Sequence, residues 1–142
     1  MKFEDSKYAS LLNYSKVQFS FGTFYLFDKF IISELHEGIH FSWDKIQEVI
    51  AYLFDHYGDD FKIGYISNRI NPYSIEPQLW VKFNKEYNFI IASAMVYYTD
   101  LGYINTTIEK LFSKKSIKRC NSLDQAIEWL LNLKEFKPFL LL

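Results

Sequence analysis

The chain contains a single cysteine, Cys120, among its 142 residues. One thiol cannot form a disulfide within one chain, which excludes the disulfide-rich secreted domains. The first seven residues, Met1–Lys7, carry charges at four positions and lack the apolar core of a signal peptide. We therefore expect a cytoplasmic protein.

Glycine and proline are also scarce, with 5 and 3 residues. A chain of this length with so few of them is expected to fold as one domain without long flexible linkers.

The chain also lacks an excess of one charge, since it has 16 basic and 17 acidic side chains. Nucleic-acid binding usually needs a basic excess, so we expect no nucleic acid partner. The longest nearly uncharged run, residues 88–99, is too short to span a bilayer as a helix, and we expect no membrane contact.

Aromatic residues, in contrast, are abundant. They make up 20% of the chain, with 14 Phe and 11 Tyr. Large rings favour strands and contribute much buried area. Such a composition fits an ordinary aromatic core, and it fits equally well a cavity lined with rings.

The spacing of apolar residues predicts an α/β protein with a mixed sheet of about five strands and about four helices packed against it. An antiparallel hairpin is predicted first, and helices and strands then alternate in the order β-β-α-β-α-β-α-β-α. The predicted helices after that hairpin lie near residues 42–57, 74–86, 104–112 and 122–131. The single domain is expected to cover residues 17–133, after an N-terminal arm at 1–16 and before an apolar C-terminal tail at 134–142.

Two short sequence segments resemble those of a known family. They are ISNRINPYS at residues 66–74 and LDQAIEW at residues 123–129. Together with the element order, they resemble the STAS domain of anti-sigma-factor antagonists and sulfate-transporter tails. They also resemble a set of small bacterial proteins grouped with STAS and with the lipid-binding SEC14-like fold. The resemblance spans about residues 17–132 and implies a non-enzymatic regulatory or protein-interaction domain without a cofactor.

A polar loop follows the strand predicted at residues 62–67, and polar strand-to-helix junctions often carry function in α/β domains. In STAS antagonists a partner kinase phosphorylates a serine in this loop, at a helix N-terminus, and Ser74 is the nearest match by position. A phosphate there would meet free N–H groups, with Arg69 as a partner. The family's Asp-Ser-Ser-Gly pattern is absent, and Ser74 as a simple helix cap is the alternative. The predicted binding or switch loop comprises Ser67, Asn68, Arg69, Asn71, Tyr73 and Ser74.

Residues His36 to His40 match the H-E-x-x-H zinc motif. That chemistry needs both histidines on one face of a helix. The preceding residues predict a strand, and Gly38 disfavours a helix interior. We therefore predict no metal site, and keep a zinc hydrolase only as a remote alternative.

Four further polar side chains are expected near the loop, as lining of a shared cleft with Arg69. They are His36, His40, Tyr98 and Asp100. The apolar end of the chain, Phe139–Leu142, is expected to dock on a second copy and form a homodimer. A competing hypothesis is a small-molecule or lipid-binding domain with an aromatic cavity for a small apolar ligand.

Overall fold

A computed structural model describes residues 1–136 of the chain. Six strands form one sheet, and their order in the sheet equals their order in the chain. The first three strands pair antiparallel, and the third to the sixth pair parallel. The strands are β1 Ser15–Phe19, β2 Gly22–Leu26, β3 Phe30–Leu35, β4 Ile63–Asn68, β5 Ile90–Val96 and β6 Ser116–Cys120.

The helices are α1 Tyr8–Leu11, α2 Trp43–Tyr57, α3 Leu79–Glu86, α4 Asp100–Phe112 and α5 Leu123–Leu131. Two short 3-10 turns, Phe3–Asp5 and Lys134–Phe136, lie near the two ends of the described chain. The predicted contact of Phe139–Leu142 with a second copy lies outside the described residues.

The α/β architecture with a mixed sheet is confirmed, with one strand more than predicted. The predicted initial hairpin contains three strands instead of two, because β1 ends at Phe19 and β2 begins only three residues later, at Gly22. Gly22 also lies directly against the end of β3, where an added Cβ would stand 2.7 Å from the Cα of Leu35. Only glycine fits this position without displacing backbone.

Consecutive parallel strands fix where the helices lie. When successive parallel strands are added in the same direction across a sheet, right-handed crossovers place all the connecting helices on the same side of it. Accordingly α2, α3 and α4 cover one side, here called the front face, and side chains from all three line one cavity there. The other side, the back face, is covered by α5 and by the N-terminal arm, with Phe3 and Tyr8 in its core.

The helix predicted from near Ser74 begins only at Leu79. Ser74 instead forms an isolated parallel bridge with His40. Its N–H donates to the carbonyl of Ile39 at 3.0 Å, and its own carbonyl accepts from the N–H of Phe41 at 2.8 Å. Helix α3 has Gln78 at its N-cap position, and the hydroxyl of Ser74 lies beside His40, so Ser74 does not cap this helix. The expectation of a serine at a helix N-terminus is therefore wrong for this residue.

Candidate functional site

The most prominent polar feature of the front face is a buried ion pair. Arg69 directly follows β4, and its Nη2 lies 2.8 Å from Oε1 of Glu109 on α4, while Nη1 binds the other carboxylate oxygen. The two side chains are only 10% and 2% exposed. The indole N–H of Trp80 donates to the same carboxylate at 3.0 Å. A two-pronged Arg–carboxylate pair of this kind fixes both geometry and charge balance.

Tyrosine hydroxyls surround this pair. Arg69 Nε donates to Ser67 Oγ at 3.0 Å, and Ser67 Oγ lies 3.0 Å from the hydroxyl of Tyr73. The hydroxyl of Tyr65 lies 2.7 Å from Ser33 Oγ. Burial raises the pKa of both Tyr65 and Tyr73, so both phenols are neutral and able to donate or accept a hydrogen bond.

An apolar cavity with a volume of about 80 Å³ lies next to these groups, between the sheet and the front-face helices. Its lining includes the Arg69–Glu109 pair, Tyr65 and Tyr73. Its apolar wall includes Ile46, Val49, Ile50 and Leu53 of α2, and Leu79 and Phe83 of α3. A concave apolar site with a few convergent polar groups is the usual form of a small-molecule site.

A second polar cluster lies on the back face. Asn68 donates to Oε2 of Glu34 at 2.7 Å and to the carbonyl of Met1 at 2.9 Å. The hydroxyl of Tyr98 donates to Asn68 Oδ1 at 2.6 Å, and the N–H of Phe3 donates to Glu34 Oε2 at 2.7 Å. Burial raises the pKa of Glu34, and burial followed by the charge of Glu34 raises the pKa of Tyr98 to about 12. This cluster holds the N-terminal arm against the sheet.

The structure therefore divides the predicted switch loop between two sides of the sheet. Neighbouring residues in a strand point to opposite faces, so Ser67 lies with Arg69 at the front and Asn68 with Tyr98 at the back. The expectation that Arg69 and Tyr98 share one cleft is wrong for this reason. Asn71 donates to the carbonyl of Leu35 at 3.2 Å and holds the loop in place.

The remaining predicted residues lie outside both clusters. Ser74 Oγ is exposed and lies 2.8 Å from Nδ1 of His40. His36 is exposed at the end of β3, and Asp100 is exposed at the start of α4. Neither of them joins the ion pair through a side-chain hydrogen bond within residues 1–136.

The H-E-x-x-H segment is not helical, because β3 ends at Leu35 and α2 begins at Trp43. The helix that the zinc motif requires is thus absent at these positions. Across residues 1–136, there is also no group of three or more His, Cys, Asp or Glu side chains that could hold a metal ion.

Two important residues were not found from the sequence. Glu109 and Trp80 complete the front-face site. An arginine after a buried strand suggests a carboxylate partner, but Glu109 stands 40 positions away, among 17 acidic residues. No local pattern marks it.

The back-face cluster predicts a pH-dependent contribution to stability. The pKa of Glu34 is higher in the folded protein than its ordinary value of about 4.5. The free energy of unfolding therefore decreases as the pH rises from about 4.5 through the folded pKa, because ionised Glu34 is disfavoured in the fold. We expect Glu34→Gln, which keeps an oxygen acceptor for Phe3 and Asn68, to raise the free energy of unfolding at pH 7. The gain should vanish near pH 4. Urea unfolding between pH 4 and 8 measures both effects.

The matched control is Glu34→Ala, which leaves the donors of Phe3 and Asn68 without an acceptor. That loss is expected to cost about 1–3 kcal/mol. Equal destabilisation by Gln and Ala at pH 7 would show that the negative charge itself holds the arm.

Comparison with known proteins identifies the architecture. No family model matches the chain, and no curated protein matches it. Among solved structures, it is similar to an uncharacterised protein of the DUF3478 family with a SpoIIAA-like fold, from Shewanella loihica PV-4. The TM-score is 0.52 at 11% sequence identity, covering 84% of this chain and 93% of the other. The chain has a SpoIIAA-like fold.

The SpoIIAA-like fold confirms the STAS-like architecture expected from the element order. At 11% identity the similarity concerns the fold alone. In residues 1–136 of this SpoIIAA-like chain, no helix is long and apolar enough to cross a membrane.

Proposed function

We propose that this SpoIIAA-like chain is a non-enzymatic regulatory domain that binds a small, mostly apolar ligand in the front-face cavity. The observation that carries the proposal is the cavity itself, an apolar space whose lining includes a neutralised ion pair and two neutral phenols. Ligand binding in an aromatic cavity was one of the functions expected from composition, and the DUF3478 protein with the similar fold has no stated activity.

The size of the cavity limits the ligand. Its volume of about 80 Å³ is roughly half that of an engineered cavity that holds benzene. A larger ligand requires one wall to move, and α3 is the wall best suited to do so. None of the side chains on α3 is fully buried, although Leu79, Trp80 and Phe83 face the cavity.

The polar residues of the lining limit the chemistry of the ligand. Glu109 already neutralises Arg69, so the site offers no net charge to a strong anion. Tyr65 and Tyr73 can donate to or accept from a neutral group. We therefore infer a ligand with an aliphatic or aromatic body and one hydroxyl or carbonyl group. Among residues 1–136, no histidine, cysteine or lysine lines the cavity, which supports binding rather than nucleophilic chemistry.

The test combines detection of a bound molecule with a reporter in the site. Native mass spectrometry of freshly purified protein should show a co-purified small molecule. Cyclopentanol, phenol and benzyl alcohol should raise the Tm and shift the indole N–H signal of Trp80 in NMR spectra. The signal of Trp129, which packs against the back-face core, should stay in place.

Ile50→Phe fills the cavity, and the exposed neighbour Glu48→Phe adds the same ring outside it. The alcohols should stabilise the wild type and Glu48→Phe but have no effect on a folded Ile50→Phe. Stabilisation that persists in Ile50→Phe would place the binding site elsewhere. A wild type that shows neither a bound molecule nor a Trp80 shift would overturn the proposal.

A second candidate function is a switch by phosphorylation at Ser74, whose hydroxyl is exposed. A phosphate there would lie beside His40, and beside Lys45, whose ammonium binds the carbonyl of His40 at 2.8 Å. Arg69 is not the partner, because Glu109 holds it inside the domain. Incubation with cell lysate and ATP, followed by mass spectrometric mapping, tests this candidate. An unmodified Ser74 would count against it.

A further inference from the structure

Helix α4 faces its domain with its polar side. Its buried residues are Thr106 and Glu109. Its large aliphatic side chains point outward and form one stripe along the helix, here called the α4 stripe. The stripe consists of Leu101, Ile104, Ile108 and Leu111, which are 63%, 53%, 41% and 79% exposed. Surface helices of soluble domains normally show the opposite arrangement.

The rotation of α4 about its axis is fixed by polar contacts. Glu109 is held by Arg69 and Trp80. On the adjoining side, the guanidinium of Arg119 lies 4.5 Å from the ring centre of Tyr103 and binds the hydroxyl of Thr107. Turning the stripe inward would break the ion pair, so the apolar side stays at the surface.

The α4 stripe is complementary to itself. Leu101 and Leu111 are equally distant from position 106, and so are Ile104 and Ile108. In an antiparallel pair of α4 helices centred there, Leu101 of one copy meets Leu111 of the other, and Ile104 meets Ile108. A two-fold symmetric interface requires this kind of match between a surface and its own copy.

The charges on the helix favour the same orientation. Asp100 stands at its N-terminal end, and Lys110 and Lys114 stand at and just beyond its C-terminal end. In the antiparallel pair, Asp100 of each copy comes near Lys114 of the partner subunit, and the helix dipoles oppose one another. A parallel pair would place like charges together.

We propose that the chain forms a homodimer through the α4 stripe, as an antiparallel, two-fold symmetric helix pair. Val81 on α3 is also exposed, at 44%. A standard interface buries about 800 Å² per partner, and a single pair of helices is a narrow contact by comparison, so we expect a weak dimer that depends on concentration. This dimer is distinct from one formed by the tail at Phe139–Leu142.

Sedimentation equilibrium between low micromolar and millimolar concentration tests the dimer. The double variant Ile104→Ser/Ile108→Ser should weaken it more than tenfold, which corresponds to about 1.4 kcal/mol. Tyr52→Ser, which removes a comparably exposed apolar side chain from α2, should leave the dissociation constant unchanged. Circular dichroism verifies that every variant is folded.

The register has its own test. Leu101→Glu and Leu111→Lys each place a charge against leucine in the proposed pair, and each should weaken the dimer. Combined in one chain, they place opposite charges face to face at both ends, and the dimer should recover. The two positions are about 15 Å apart along one helix, so they cannot pair within it.

Three results would overturn the proposal. The first is a wild type that stays monomeric up to millimolar concentration. The second is a dimer that Ile104→Ser/Ile108→Ser leaves intact. The third is a dimer that Leu140→Ser/Leu141→Ser abolishes while the stripe variant retains it, which would assign the interface to the tail.

Discussion

Replacement of Arg69 by methionine is expected to lower the free energy of unfolding by about 3–5 kcal/mol, because it leaves the carboxylate of Glu109 buried without its cation. Glu109 is only 2% exposed, so water cannot replace the guanidinium. Trp80 would remain as one hydrogen-bond donor to the carboxylate. One neutral donor cannot compensate for the loss of the cation beside a buried charge. Urea unfolding at pH 7 measures the loss.

The double variant Arg69→Met/Glu109→Leu should be more stable than Arg69→Met alone. Removal of both charges also removes their desolvation cost, and buried ion pairs replaced by apolar side chains are often neutral in stability. Recovery in the double variant would show that the uncompensated charge, and not lost packing, causes the defect.

The exposed pair of Lys16 and Glu4 is the matched control. Its atoms are 2.9 Å apart, yet the side chains are 39% and 48% exposed. Surface pairs contribute about 0–1 kcal/mol, so Lys16→Met should change stability little. If Arg69→Met were equally mild, the front-face pair would not be buried as described here.

Replacement of Leu130 by alanine is expected to cost about 2–5 kcal/mol, because this fully buried side chain of α5 fills the space above β4. It packs directly against Gly64, where an added Cβ would stand 2.9 Å from Leu130 Cδ2. Gly64→Ala alone should therefore also destabilise, by about 1–3 kcal/mol of overpacking.

The two substitutions should compensate each other in part. Alanine at position 130 leaves room for the methyl group added at position 64, so the double variant should lose less than the sum of the single losses. Leu53→Ala, on the opposite face of the sheet, removes the same atoms far from Gly64 and should combine additively with Gly64→Ala. Additivity in both pairs would contradict the close contact of α5 with β4.

Local patterns predicted those parts of the fold that local interactions determine. Ser122 caps α5, with its Oγ accepting from the N–H of Gln125, while the Gln125 side chain accepts from the N–H of Asn121, one residue before the cap. The buried side of α5 follows the predicted period, and β5 is a central strand between β4 and β6. In these elements, sequence spacing and burial agree.

Prediction from the sequence failed where contacts with residues distant in the chain determine the structure. The apolar spacing of α4 gave the right helix but not its rotation, which Arg69 imposes through Glu109 from 40 positions away. The start of α3 was predicted too early, because the backbone of Ser74 pairs with residues around His40. Neither partner is visible in a local window of sequence.

The candidate site was only partly predictable for a related reason. The loop after β4 was correctly singled out as polar, but the alternation of the strand sends Ser67 and Asn68 to opposite faces. A cluster of polar residues in a sequence does not show which face of the sheet each side chain occupies. The cavity depends on α2, α3 and α4 together, and no single segment encodes it.

The manner in which the back face is covered has a consequence for biosynthesis. Its apolar side chains on β4 and β5, such as Ile66, Ala92 and Ala94, are covered by α5, one of the last elements of the described chain to leave a ribosome. The sheet is then largely synthesised while the part of its back face that α5 covers is still bare. Bare apolar sheet attracts other chains, so the interval before α5 emerges is when a nascent chain most needs a chaperone.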